Sequence, residues 1–176
     1  DINAMLERMT TCLRDQVAAG TGFTPDALTG FTPPADKTVG RIPGSTCYDD
    51  TQNPLGFFGH YRDQVFIAKP AAGTWPVTVD GVAQASCSAA LIFGSQRGAG
   101  QMRTTTAERN TPANYLEGAN LTGFTSTGVP AFGGPSLLAQ VSASHTANQD
   151  IVRCVPAGAS LAVAAPVVAA AAGNIQ

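Results

Sequence analysis

Over residues 1 to 19, DINAMLERMTTCLRDQVAA, apolar side chains recur at three- and four-residue steps: Ile2, Met5, Leu6, Met9, Leu13 and Val17. Asn3, Glu7, Arg8, Arg14 and Asp15 occupy the other face. That spacing predicts an amphipathic helix with one stripe to bury, stopped at Gly20. No later segment has helical periodicity as clear. Residues 20 to 56 break every few positions at Gly or Pro, so they read as a loop region with room only for single turns. A connection that long is expected to be pinned by a disulfide through Cys47 or draped over other elements.

From Gly59 onward the period changes to two. HYRDQVFIAK alternates in part, with Tyr61, Val65 and Ile67 on one side. Asp80-Gly81 lies between two alternating runs, the pattern of a two-residue hairpin turn. Val77 to Val79 should therefore pair with Val82 to Gln84, and the second strand should continue to Phe93. DIVRCVP, residues 150 to 156, reads as a further short strand. Helix first and hairpin-linked strands afterwards predict an α+β fold, an N-terminal amphipathic helix packed on an antiparallel sheet. The expected organisation is one domain: helix 1–19, Gly/Pro-rich loop region 20–56, sheet and loops 57–156, and an apolar Ala-rich tail 157–176. That tail contains Pro166 and falls short of the ~20 residues a spanning helix needs, so it reads as a covered strand or a tail.

Composition narrows the setting. Of 176 residues, 44% are hydrophobic and 12% charged, against roughly 25% charged in ordinary globular proteins. A surface carried by Thr, Ser, Asn, Gln and Gly is common outside the cell. The net charge of -2 gives no electrostatic reason to expect nucleic acid or an anionic membrane as partner. The chain opens on Asp1, so a processed or excised form is expected. Cys12, Cys47, Cys87 and Cys154 are scattered singly, without a C-x-x-C pair, which argues against zinc. They suit two disulfides in an oxidising compartment. Of three connectivities, Cys12 with Cys47 and Cys87 with Cys154 join neighbouring parts of this layout; four free buried thiols stand as the alternative.

Candidate chemistry is thin. ALIFGSQRGAGQ, residues 90 to 101, leads from a strand into a glycine-rich loop, yet it lacks the Lys and hydroxyl of a P-loop. It also lacks the dinucleotide fingerprint and a Gly-x-Ser-x-Gly elbow. No cofactor is expected. DDTQN, Asp49 to Asn53, offers clustered oxygen ligands for calcium but reads as a solvated turn. His60 and His145 are the available general bases, with Asp49, Asp50, Asp63 or Asp150 to orient them, but no spacing binds them into a set. Arg97, Arg103 and Arg109, with Glu108 and Glu117, form either a charge network or a solvated loop face.

The order of the islands GFFGHYRDQVFIA, ALIFGSQRGAG, PANYLEGAN and SHTANQDIVRC behind an amphipathic helix resembles the bacterial type IV pilin-like proteins, the minor pilins and pseudopilins. Phe58 stands where members often have Trp, Asn148-Gln149-Asp150 stands for Phe-Asp-Asp, and about twenty residues follow the last island. The resemblance implies a non-enzymatic filament subunit whose partners are other pilin subunits. It also implies a helix that continues upstream of Asp1 to anchor the subunit in the inner membrane before assembly, in the periplasm or at the cell surface. Its working surfaces would be the outer side of the helix and the region from Asn120 to Ser144. There Phe124 and Phe132 are candidate partner contacts, with packing beneath the loop as the alternative. A free secreted adhesin or ligand-binding domain with a pocket by the arginines, and a secreted hydrolase using His60 or His145, are the competing readings.

Overall fold

The computed structural model describes residues 2–43, 47, 57–137 and 150–158. Ile2–Ala18 forms helix α1. Its apolar stripe is buried at Met5, Leu6, Met9 and Leu13, with Ile2 and Val17 half-buried on the same cluster. Gly20 ends the helix with a φ of 73°, and its N–H donates to the carbonyl of Val17. This is the left-handed stop that glycine adopts without steric cost.

The hairpin forms in the expected register. Strands β3 (Trp75–Val79) and β4 (Val82–Phe93) pair as Val79 to Val82, Thr78 to Ala83 and Val77 to Gln84. Asp80 and Gly81 have φ of 51° and 77°, the positive values a two-residue turn requires.

The loop region after α1 holds an element that periodicity did not predict. Lys37–Arg41 is strand β1, antiparallel to β2, Val65–Pro70. KTVGR has one large apolar residue and a glycine, so its strand character comes from pairing with β2. A side chain at Gly40 would place Cβ 2.2 Å from the carbonyl oxygen of Asp26, where Asp26 and Arg41 exchange backbone hydrogen bonds. Ahead of β2 lie helix α2, Phe57–Tyr61, and a tight turn at Arg62–Gln64.

Strand β4 organises the sheet. Its segment Ala90–Phe93 carries β2 on one side and β6, Ile151–Pro156, on the other. The two-residue β5, Gly133–Gly134, runs parallel to β3. Alternation then sorts side chains between two cores. Val65, Ile67, Leu91 and Phe93 face α1, with Tyr61 packed beside them, on the side the sequence placed Tyr61, Val65 and Ile67. Phe66, Ala68, Ala90 and Ile92 face away from it. That second face is covered by the chain running through helix α3 (Thr106–Arg109), a turn at Pro112–Asn114 and helix α4 (Gly118–Thr125). Tyr115, Leu116, Phe124 and Phe132 complete its core. The segment expected to be a displayed loop from Asn120 divides, through residue 137: Asn120, Gly123, Phe124, Pro130 and Phe132 are buried as cover, while residues 125–129 are exposed as expected. Residues 138–149 and the tail from 159 lie outside the described residues.

Two disulfides, Cys12–Cys47 and Cys87–Cys154, join these parts, each with Cα atoms 5.4 Å apart. The first ties α1 to the loop region and the second ties β4 to β6. They close 35 and 67 residues of chain, long loops whose closure restricts the unfolded ensemble. Replacing Cys12→Ser together with Cys47→Ser should lower unfolding free energy by about 2–5 kcal/mol. Urea unfolding measures it, and an unchanged midpoint would mean this cross-link adds nothing to the fold.

Candidate interaction surfaces

The cover over the second core is held by three polar devices. In the first, Arg41 of β1 is 7% exposed, its guanidinium lying 4.7 Å from the ring centre of Phe66 and 5.2 Å from that of Tyr115. It donates to the carbonyls of Asp63 and Arg109. On Tyr115 also rests Arg103, 4.3 Å from the ring centre, donating to the carbonyl of Asn114 at 2.7 Å. Burial pushes the Tyr115 phenol above its usual pKa, against the lowering effect of Arg41 and Arg103. Stacking of this kind suits the flat, weakly hydrated guanidinium.

The second device is Lys37, whose side chain is 1% exposed. Its ammonium donates to the carbonyls of Ser126 and Gly128 and lies 3.4 Å from Asp36, which accepts from the Gly128 N–H at 2.6 Å. A cation thereby closes the carbonyl end of α4, where the helix dipole favours it.

The third is Asn120, buried on α4. Its amide accepts from the Gly133 N–H and donates to the Gly133 carbonyl, both at 3.0 Å, so it caps β5 as a neighbouring strand would. It also donates to Asp150 at 3.2 Å. Asp150, 2% exposed, accepts in addition from the Glu117 N–H at 3.3 Å. Burial raises the Asp150 pKa to about 7; the bonds from Asn120 and Glu117 oppose that rise, the Glu117 charge adds to it, and Arg103 opposes it.

The predicted site residues divide as follows. Cys12, Cys47, Cys87 and Cys154 are paired. Phe124 and Phe132, offered as partner contacts, are 0% and 1% exposed; both sit in the core, Phe124 edge-on to Phe66 and Phe132 edge-on to Trp75. Two of the three arginines join one network through Arg41: Arg103 stacks on Tyr115 beside it, and Arg109 lies 3.7 Å from the Asp63 carboxylate that Arg41 also faces. Arg97 is exposed, its charge acting on Arg103. His60 is exposed on α2, and the Asp63 carboxylate turns to Arg41 and Arg109. His145, Asp49, Asp50 and the DDTQN oxygen cluster lie outside the described residues. The glycine loop is spent on its own fold, since the Gly98 N–H donates to the Gln101 side chain at 2.7 Å, which in turn donates to the Ala113 carbonyl. A side chain at Gly94 would meet the Tyr115 carbonyl oxygen at 2.9 Å, so the first glycine admits the cover to the strand end.

The outer surface is polar around α1. Arg153 of β6 donates to Glu7 at 2.8 Å, beside a cleft of about 330 Å³ lined by Glu7, Arg14, Asp80, Gln84, Ser136 and Arg153. Among the described residues no helix is long and apolar enough to cross a membrane, and no cluster of His, Cys, Asp or Glu could hold a metal ion. No protein-family model, curated protein or solved structure matches the chain.

Asp150 generates a pH test. Its folded pKa is raised above that of an unfolded carboxyl, so its contribution is fully present below about pH 4 and is lost as pH rises to about 7. The loss amounts to ~4 kcal/mol over that window. Asp150→Asn, which imitates the protonated acid, should remove that slope. Urea unfolding of both proteins at acid and alkaline ends of the window checks it; parallel profiles would show that Asp150 is not the titrating group.

Proposed function

We propose that this chain is a structural subunit of a type IV pilus or a type II secretion pseudopilus. It acts by polymerisation through its N-terminal helix and by contacts between neighbouring heads. The observation that carries the reading is α1 itself: one stripe of the helix is buried on an antiparallel sheet, while Glu7, Arg8 and Arg14 remain exposed on the outer side. A helix so placed can pack on its own sheet and on a neighbour together. The two disulfides fit an oxidising compartment such as the periplasm, and the order of the four sequence islands supports the same family.

The test is the precursor and its destination. The coding sequence upstream of Asp1 should specify a short basic leader ending in Gly, then about twenty apolar residues with an early Glu. An antibody to the head should label filaments sheared from cells. A secretory signal peptide cleaved next to Asp1, with the protein free in the medium, would overturn the proposal.

A further inference from the structure

The first half of β4 stands away from both cores. Val82–Ser86 is exposed throughout, and Val82 keeps 60% of its surface. Strand β3 lies along one edge of this arm, with Val82 opposite Val79 and Gln84 opposite Val77. In a hairpin closed by two residues, Val82 and Gln84 turn their backbone groups toward β3, and Ala83 turns its N–H and C=O outward. Among the described residues no backbone group bonds to this outer edge until Ser86, whose carbonyl accepts from the Ala157 N–H at 3.1 Å.

Open edges are usually blunted by Lys, Pro or an inward charge. This one carries none of them: the sequence has no charged residue and no proline from Val82 through Gln96. The missing charge bears on the occupant. Pairing about a two-fold axis sets an edge against itself, and a charge near the axis would meet its own copy, which is destabilising in directly opposed strands. An uncharged edge whose donors and acceptors meet no described partner satisfies that condition.

We propose that the outer edge of Val82–Ala85 is a docking site for the same edge of a second copy of this chain, the two arms pairing antiparallel about a two-fold axis. The contact is small beside the ~1,200 Å² of a standard stable interface, so the dimer is weak and concentration-dependent. It does not depend on the filament reading, because among the described residues of a single chain no backbone group pairs with this edge.

Sedimentation of the purified chain over a range of concentrations tests this. Wild type should pass from monomer to dimer as concentration rises. Ala83→Pro removes an N–H that bonds to no described residue of the monomer and should abolish the dimer. Ala85→Lys sets like charges together and should weaken dimerisation at least about tenfold, with recovery in high salt as the charges are screened. Circular dichroism reports whether each variant is folded. Gln84→Cys should form a cross-linked dimer under mild oxidation faster than Thr127→Cys, an exposed site on the loop after α4. A wild-type chain that stays monomeric throughout, folded variants that associate as wild type does, or equal cross-linking at the two cysteine sites would overturn the proposal.

Discussion

Burial of both faces of Ala90–Phe93 is the constraint from which the rest of this structure follows. Four consecutive apolar residues with a strand on either side cannot leave one face to water, because alternation sends Leu91 and Phe93 to one side and Ala90 and Ile92 to the other. Helix α1 covers the first face. The second requires a cover of its own, supplied by the chain between β4 and β6. The same two-sidedness governs β2, where Val65 to Ala68 are all buried.

A cover built from short helices and turns brings many polar backbone groups near an apolar core, and each must find a partner. Lys37, Arg41 and Asn120 meet that need from within. Lys37 and Asn120 bond main-chain groups of the cover directly, and Arg41 joins the carbonyl of Arg109 to two aromatic rings. None of these side chains closes a catalytic constellation with a described histidine. Their chemistry is spent on holding Tyr115, Phe124 and Phe132 in place, while the hairpin arm and the polar side of α1 stay exposed.

Much of the α1 side of the molecule was legible residue by residue. The stripe from Ile2 to Val17, the Asp80-Gly81 turn and its register, the extension of β4 to Phe93 and the strand at Ile151–Pro156 are all present. The cysteine pairing also followed, because each pair joined segments the layout already set side by side. The far side was not legible in that way. Arg41 reads as an ordinary basic residue in KTVGR, and nothing near it in sequence announces Phe66 and Tyr115. Phe124 and Phe132, set among Gly and Thr, read as display or as packing beneath a loop, and nothing local decides between the two. Asp150 gives no sign in sequence that Asn120 and the Glu117 N–H are its partners.

What the sequence by itself determined is therefore the set of elements whose cause is local: hydrophobic period, turn chemistry and a glycine stop act between residues a few positions apart. What only the tertiary structure decided is which polar and aromatic side chains are interior. Lys37, Arg41, Asn120 and Asp150 are buried because partners many residues away compensate the cost of taking them out of water, and those partners are brought near only once β4 has been covered on both faces.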